Sequence, residues 1–470
     1  MIDQSTICAI STPAGMGAIA VIRLSGNKGI DICDSVFRSP MKGKKLKKQP
    51  ANTIHFGTIV DEDEIIDEVV VAVFKAPHSF TGEDIVEISC HGATYIQQQI
   101  LELLIKRGSR MALPGEFTQR AFLNGKMDLS QAEAVADLIA SQSEAARKVA
   151  LQQMRGGFSR ELINLRNELL QFTSLIELEL DFSEEDVEFA NRAKLKTIVG
   201  KISEMLGRLV NSFSLGNTIK NGIPVAIVGH TNAGKSTLLN TLLNEERALV
   251  SDIHGTTRDS IEDTINIEGI TFRFIDTAGI RTTADEIENL GIERTYSMLK
   301  KATLVLLLLD VNDPDEKIHS AINSVKKRMN DSSQRLIVVI NKIDLLAEKE
   351  SSNRFTHREF LELTDSDAIV PISAKHNKNV EKLTTELLKT INTSALNNNE
   401  VIVTNVRHYE ALKKSHEAIQ RVADGLQSGI SGDLLAQDIR EVLYYLGEIT
   451  GNISTDEILG NIFKNFCVGK

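Results

Sequence analysis

The sequence has little of what marks secreted, disulfide-stabilised or membrane-spanning proteins. It contains no tryptophan, eight prolines and four cysteines in 470 residues. The cysteines stand at positions 8, 33, 90 and 467, without the paired spacing of a metal site or a disulfide framework. No apolar run is long enough to cross a bilayer, and Asp3 lies where a secretory signal would carry positive charge. We therefore expect a cytoplasmic protein with reduced thiols and no membrane association.

Positive charge is also scarce. Acidic residues number 64 and basic residues 53, so the formal net charge is −11. The overall field does not favour nucleic acid, although a local basic patch stays compatible with it. The run Lys42–Lys48 is such a patch, but it lacks interleaved aromatics, and a solvated loop is the favoured interpretation over an RNA contact. The length suggests about three domains.

What is present is a set of five short motifs in the middle of the chain. Each motif alone is usually a turn or a strand end, but strand-like and helical stretches alternate between them, as a βα repeat requires. This order of motifs predicts a P-loop α/β module that binds a guanine nucleotide. The motifs are Gly229–Ser236, Thr256–Asp259, Asp276–Gly279, Asn341–Asp344 and Ser373–Lys375.

The first motifs suit the phosphates and their metal ion. A glycine-rich loop before a helix turns backbone N–H groups toward phosphate, and Lys235 adds a positive charge. Ser236 and Thr257 are the predicted Mg²⁺ ligands, and Asp276 suits an outer-sphere contact to the same ion. Gly279 allows the backbone to approach the terminal phosphate.

The later motifs suit the base. The Asp344 carboxylate can accept both N–H groups on the edge of guanine, where adenine presents a different edge. This selects GTP over ATP. The full set of predicted nucleotide contacts is Asn232, Ala233, Gly234, Lys235, Ser236, Thr237, Ser251, Asp252, Ile253, His254, Gly255, Thr256, Thr257, Asp276, Thr277, Ala278, Gly279, Asn341, Lys342, Asp344, Ser373, Ala374 and Lys375.

Helical patterns flank this module on both sides. An apolar stripe from Phe158 to Leu180 alternates spacings of four and three, which indicates a long helix in a bundle. Helical periodicity returns after position 407. A single helical domain with the nucleotide module inserted explains both blocks. The predicted segments are an N-terminal domain at 1–122, helical parts at 123–215 and 391–470, and the nucleotide module at 216–390.

Further motifs make the chain resemble, over its full length, the bacterial tRNA-modification GTPases of the MnmE (also TrmE) family. The ending is the most specific of them, because many GTPases share the central motifs without it. These motifs are Thr12-Pro13 with Gly15 and Gly17, Arg23–Gly26, Phe80–Asp84, Pro114–Phe117, Arg120–Lys126 and the terminal Cys467–Lys470.

The resemblance implies a fold and a function. The expected architecture is an N-terminal α/β (α+β) folate-binding domain that dimerises, an α-helical bundle domain, and an inserted Ras-like P-loop GTPase domain. With its FAD-containing partner MnmG, as a heterotetramer, such an enzyme installs a (carboxymethyl)aminomethyl group on C5 of the wobble uridine of certain tRNAs. The carbon comes from 5-formyl-tetrahydrofolate or a related tetrahydrofolate.

By position in the matching motifs, Arg23, Glu87, Lys126 and Lys470 would contact the folate. Cys467 is the first residue of the same terminal motif, and the resemblance suggests a catalytic role for its thiol. From the residues alone, Arg23 and Lys126 would be surface charges, Glu87 the solvent face of a strand, and Cys467 a small core residue.

The resemblance also implies a way of hydrolysing GTP. Ile280 occupies the position where Ras-like enzymes carry a water-orienting glutamine, and it cannot hydrogen-bond water. The family instead uses K⁺ and a glutamate, which motif matching places at Glu288, with Glu286 and Glu293 as competitors. The implied K⁺ ligands are Asn232, Ser251, Ile253 and Thr256. Thr231 departs from the proline usual before this asparagine.

Two other functions share the central motifs. A ribosome-assembly or RNA-binding GTPase would need a recognisable RNA module such as a KH domain, and the C-terminal block shows a helical pattern instead of such a module. A scaffold GTPase would act only through nucleotide-dependent association. The sequence does not specify which tRNAs are used, which carbon donor the cell supplies, or how the nucleotide module acts on the modification.

Overall fold

The computed structural model divides the chain into two compact units. The first comprises residues 1–140, 150–206 and 410–470, and the second comprises residues 141–149 and 207–409. The structure describes residues 5–181, 192–247, 263–275, 299–329, 334–346, 363–364, 367–390, 401–464 and 466–469.

The first unit contains a seven-stranded sheet in the order β3-β4-β5-β6-β2-β1-β7. Its strands are antiparallel except for the parallel pair of β1 and β7. The strands are β1 (Ile7–Ile10), β2 (Ile19–Ser25), β3 (Phe37–Arg38), β4 (Thr53–Asp61), β5 (Glu64–Phe74), β6 (Ile85–His91) and β7 (Arg110–Met111).

Two helices cover one face of this sheet, α1 (Gly29–Val36) and α2 (Thr94–Lys106). Their apolar residues share a core with alternate residues of the strands, such as Val86 and Ile88 of β6. The residue between these two, Glu87, lies on the opposite face, as the period of two in a strand requires. Neither α1 nor α2 was predicted from the sequence, because both interrupt a stretch dominated by strand patterns.

The rest of the first unit is helical. The first part of the predicted stripe on α6 is buried, since Phe158, Leu162, Leu165 and Leu169 are each at most 7% exposed; the side chains of the rest of the stripe lie outside the described ones. The helices are α3 (Glu116–Leu123), α4 (Leu129–Ala140), α5 (Glu144–Met154), α6 (Gly157–Asp181), α7 (Arg192–Asn221), α11 (Val406–Ser428), α12 (Gly432–Thr450) and α13 (Asp456–Phe463), of which α5, α7 and α11 continue into the second unit.

The second unit contains a six-stranded sheet in the order β13-β12-β11-β8-β10-β9. It is parallel except for β9, which lies antiparallel at one edge. The strands are β8 (Ile223–Gly229), β9 (Asp263–Ile267), β10 (Ile270–Phe274), β11 (Leu304–Asp310), β12 (Arg335–Asn341) and β13 (Ala368–Pro371).

Helices cover both faces of this second sheet. Residues of α8 (Lys235–Arg247) and α10 (Val380–Leu388) join one core cluster, and residues of α9 (Asp315–Lys326) join the other. Central strands between two layers of helices are buried on both faces, so they read as continuous apolar runs. The six residues Leu304–Leu309 of β11 are all at most 2% exposed.

The predicted class is confirmed: an N-terminal α/β sheet domain, a helical domain and an inserted Ras-like P-loop module. The four predicted boundaries stay a prediction. Ala145 and Val149 of α5, which lie in the predicted helical segment 123–215, join the core of the second unit. No helix within the described ranges is long and apolar enough to cross a membrane.

Candidate functional site

The first candidate site is built on the loop between β8 and α8. The buried strand ends at Gly229, and α8 begins at Lys235, so the loop sits at a helix N-terminus as predicted. Asn232 and Gly234 have positive φ angles of 64° and 100°. These conformations turn the backbone sharply between the strand and the helix.

The Lys235 ammonium lies inside this phosphate loop. Its Nζ donates hydrogen bonds to the carbonyl oxygens of Gly229 at 2.7 Å and His230 at 2.9 Å. Burial lowers the pKa of Lys235. A phosphate oxygen would be a stronger acceptor for the same ammonium than a neutral carbonyl. Ser236 and Thr237 follow in the first turn of α8, and both are exposed.

Asn341 connects the phosphate loop to the loop that follows β13. Its Nδ2 donates to the carbonyl of Ala233 at 2.9 Å, and its Oδ1 accepts from the backbone N–H of Ala374 at 3.0 Å. The side chain is only 3% exposed. An added Cβ on Gly234 would lie 2.3 Å from Nδ2 of Asn341, so glycine is required for this approach. Two predicted motifs thus meet through a third.

The predicted base-reading carboxylate is also held in place. Asp344 accepts a hydrogen bond from Ser373 Oγ at 2.5 Å, and His376 Nε2 lies 3.6 Å from its other oxygen. The Ser373 hydroxyl lowers the pKa of Asp344, so the group is a carboxylate at neutral pH. Lys342 Nζ donates to Asp310 Oδ2 at 2.6 Å. Lys375 is exposed in the same loop as Ser373.

Several predicted residues lie outside the described part of the chain. Ser236 is the one predicted Mg²⁺ ligand that the structure describes, and Asn232 is the one predicted K⁺ ligand. The roles of the others stay predictions. They are Ser251, Asp252, Ile253, His254, Gly255, Thr256, Thr257, Asp276, Thr277, Ala278, Gly279, Glu288 and Lys470.

The second candidate site lies on the sheet of the first unit. Arg23 on β2 stands directly opposite Glu87 on β6. Arg23 Nε and Nη2 lie 2.9 and 2.7 Å from the same Glu87 oxygen, Oε1. The guanidinium also lies 5.8 Å from the ring centroid of Phe80 and 5.7 Å from that of Phe117. Neither charge is a free surface group.

The C-terminal segment reaches this pair. The Gly469 carbonyl accepts a hydrogen bond from Ser11 Oγ at 3.2 Å and a longer one from Arg23 Nη1 at 3.5 Å. Two residues earlier, the Cys467 carbonyl accepts from the Gly115 N–H at 3.3 Å. The Cys467 side chain is exposed, so it is not the core residue that its two neighbouring phenylalanines would suggest. Arg23 therefore lies between Glu87 and Gly469, whereas Lys470 is outside the described residues, and the binding of folate by these residues stays a prediction.

Lys126 takes part in a different contact. Its Nζ donates to the Pro77 carbonyl at 2.8 Å, and its stem lies beside Gly82. Within the described residues, no hydrogen bond or ion pair joins Lys126 to Arg23 or Glu87. The structure thus brings together two of the three described residues predicted to bind folate and leaves the third on a neighbouring loop.

Comparison with known proteins decides the family. The model of the MnmE helical domain matches residues 129–467, and the model of the GTP-binding protein TrmE N-terminus matches residues 6–126. The chain belongs to the MnmE family of tRNA modification GTPases.

Relatives match the chain from end to end. The tRNA modification GTPase MnmE of Bacteroides thetaiotaomicron is 56% identical over 470 residues, with 100% of each chain covered. That of Flavobacterium johnsoniae is 56% identical over 473 residues with the same coverage. That of Bacteroides fragilis strain ATCC 25285 is 55% identical over 469 residues, again covering 100% of each.

One feature of this MnmE family member was missed from the sequence. Arg120, 3% exposed, forms ion pairs with Glu116 at 2.9 Å and Glu83 at 3.0 Å. Arg110 pairs with Glu116 at 2.6 Å. Desolvation alone would raise the pKa of Glu116, but hydrogen bonds from Arg110, Leu113 N–H and Arg120 outweigh it and lower that pKa. The i,i+4 spacing of Glu116 and Arg120 was the available signal.

Proposed function

We propose that this chain is a K⁺-activated GTPase that modifies C5 of the wobble uridine in certain tRNAs. It acts with an FAD-containing partner of the MnmG type and attaches a (carboxymethyl)aminomethyl group whose carbon comes from 5-formyl-tetrahydrofolate or a related folate. The observation that carries this proposal is the meeting of Arg23, Glu87 and the Gly469 carbonyl in the first unit. A nucleotide switch alone does not need a second polar site away from its own module.

The nucleotide site supports the GTPase part of the proposal. The Asn341 bonds hold the phosphate and base-reading loops in a fixed relation, so both ends of one GTP can be bound together. Lys235 would leave its two carbonyl partners for the β and γ phosphates. Asp344, fixed by Ser373, would read guanine.

The described metal ligands fit the proposed ions. Ser236 has an exposed hydroxyl in the first turn of α8, one residue after the phosphate-binding lysine, which suits Mg²⁺. Asn232 is exposed in a left-handed turn, which presents its amide oxygen at the surface of the loop and suits K⁺. When bound, the two cations supply positive charge that offsets the charge developing on the phosphates. Glu288 would orient water.

The second site suits a flat ligand with several N–H groups. The Glu87 carboxylate is 28% exposed, and among the described residues its contacts with Arg23 are made by Oε1, which leaves Oε2 for a ligand. A carboxylate can accept two N–H groups from one ring edge. Phe80 is 37% exposed beside Arg23 and offers a face for stacking. The reduced pterin of a tetrahydrofolate has both features.

The open face of the first sheet supports a homodimer. Ile54, Phe56 and Val70 are 71%, 54% and 40% exposed, and Phe56 is directly opposite Val70 on neighbouring strands. Contiguous exposed apolar groups of this kind mark interaction surfaces. The heterotetramer with the FAD-containing partner, and the binding of tRNA, rest on the family resemblance.

Mass spectrometry of tRNA nucleosides tests this function. In a strain that lacks the protein, the modified wobble uridine should disappear, and plasmid-borne wild-type protein should restore it. Arg23→Ala should fail to restore it although the purified variant still hydrolyses GTP. Lys28→Ala serves as a matched control, since Lys28 is an exposed cation of the same unit. Unchanged nucleosides in the deletion strain would contradict the proposal.

A further inference from the structure

The segment just before the C-terminal residue packs tightly against other parts of the first unit. We name residues 466–469 the C-terminal strap. Gly469 is buried with φ of +92°, and a Cβ added there would lie 2.4 Å from the Ile10 carbonyl oxygen. A contact that short requires the chain to shift. The end of β1 and the strap can therefore be adjacent only with glycine at 469.

A second glycine locks the other end of the strap. Gly115, at the start of α3, has φ of +67°, and a Cβ there would lie 2.8 Å from the Phe463 carbonyl and 2.9 Å from Phe466 Cβ. Its N–H donates to the Cys467 carbonyl. The two phenylalanine rings are 5.1 Å apart, and Phe463 is 2% exposed. The strap is thus fixed to the core on one side and to α3 on the other.

The two locks lie on either side of the exposed part of the strap. Cys467 and Val468 stand between them, and both are exposed. Beyond them, Ser11 and Arg23 share the Gly469 carbonyl. A shift of the strap by one residue would break the hydrogen bonds from Gly115 to Cys467 and from Ser11 to Gly469. Arg23 would also lose the Gly469 carbonyl. The register of the strap is therefore set by residues that carry no reactive group.

From this geometry we infer that Gly115, Gly469 and Ser11 are positioning residues of the second site. They hold the strap in one register, so that the Gly469 carbonyl stays on Arg23 and the Cys467 thiol stays exposed at a fixed place. This inference rests on the proposed folate function for its ligand, although the lock itself is a property of the chain. None of the three residues needs to contact the ligand.

The test uses full-length protein and 5-formyl-tetrahydrofolate as the probe. Gly115→Ala and Gly469→Ala should weaken its binding by at least about tenfold, because a contact under 3 Å cannot be relieved without moving the strap. GTP hydrolysis should stay within about twofold of wild type, because the described nucleotide contacts all lie in the second unit.

Matched glycines separate steric contact from backbone strain. Gly429 (φ +70°) and Gly108 (φ +107°) have comparable conformations, but a Cβ at either meets no atom within 4 Å. Gly429→Ala and Gly108→Ala should therefore bind the folate as wild type does. If Gly115→Ala and Gly469→Ala bind 5-formyl-tetrahydrofolate as tightly as wild type, the positioning role is wrong.

Ser11 gives a milder variant that does not threaten folding. Ser11→Ala removes one hydrogen bond to the Gly469 carbonyl, so we expect about two- to tenfold weaker folate binding. Ser11→Thr keeps the hydroxyl and should restore most of it. If Ser11 had only a structural role, folate binding would not fall in Ser11→Ala and recover in Ser11→Thr while the thermal stability stays the same.

Hydrogen exchange distinguishes failure of this inference from failure of the proposed function. The Gly115 amide, bonded to the strap, should exchange faster in Gly469→Ala than in wild type or Gly108→Ala, whether or not folate binds. Unchanged exchange would overturn the lock. Faster exchange with no folate binding by wild-type protein would support the lock and contradict the folate function.

Discussion

Asn341 donates a 2.9 Å hydrogen bond to the carbonyl of Ala233, although 108 residues separate them in the chain. The bond joins the loop that is predicted to read the base to the loop that is predicted to hold the phosphates. The other end of the same side chain accepts from Ala374, in the third nucleotide loop. The relative positions of these three loops therefore depend on one buried amide.

GTP hydrolysis should be at least about tenfold faster in KCl than in NaCl at matched ionic strength. The reason is that the amide oxygen of Asn232 suits K⁺ as a ligand. Na⁺ is smaller and more strongly hydrated, so it suits such a site less well. Asn232→Ala should remove the difference between the salts. A release assay for phosphate measures both, and equal rates in the two salts for wild type would rule out K⁺ activation.

Glu288→Ala should bind GTP normally and lose most hydrolysis. A group that orients the attacking water contributes about 10²–10⁴-fold to the rate, and Ile280 cannot act in its place. A fluorescent GTP analogue measures binding, and single-turnover hydrolysis of GTP measures the rate, so the two assays separate the two effects. Glu286→Ala is the matched control two residues earlier. If Glu286→Ala is inactive and Glu288→Ala is normal, the assignment within this acidic stretch is wrong.

Asp344→Asn should shift base preference from guanine toward xanthine. Asn offers a donor where guanine also donates, whereas xanthine carries an oxygen at that edge. Asp344 is held by Ser373, so the side chain cannot easily turn away to avoid the mismatch. Competition between GTP and XTP for binding measures the change. Retained preference for GTP would mean that another loop reads the base.

Stability at acidic pH should depend on Glu116. Its pKa is lowered in the folded chain, so its contribution to stability is present at neutral pH and is lost as pH falls through the folded-state pKa. Glu116→Gln should lower the free energy of unfolding by about 1–3 kcal/mol at neutral pH and flatten the acidic limb of the stability profile.

Thermal unfolding from neutral pH down to the acid range measures this dependence. Glu144→Gln is the control, because Glu144 forms an exposed pair with Lys148 at 2.8 Å that solvent screens. The control should keep both the neutral stability and the acidic limb of wild type. A Glu116→Gln profile that is parallel to wild type would exclude this carboxylate as the cause.

The sequence predicted most of what is local. The strands before four of the five nucleotide motifs and the first part of the stripe of α6 follow from apolar runs and helical spacing, which a few residues determine. The lock of Gly115 against Phe466 could not be predicted in this way. Those residues are 351 positions apart, and only the folded chain brings them so close that a Cβ added at Gly115 would lie 2.9 Å from the Phe466 Cβ. Lys126 shows the reverse: its motif suggested the folate pair, but its described contact is with Pro77.

Deleting Val468–Lys470 tests the central claim most directly, namely that one chain carries a GTPase site and a separate modification site. The truncated protein should hydrolyse GTP within about twofold of wild type, because the described residues that are predicted to bind the nucleotide belong to the second unit and the strap belongs to the first. It should nevertheless fail to restore the modified wobble uridine to a deletion strain, since Arg23 loses its Gly469 partner and the site loses its terminal lysine. Normal tRNA nucleosides with the truncated protein would contradict the account.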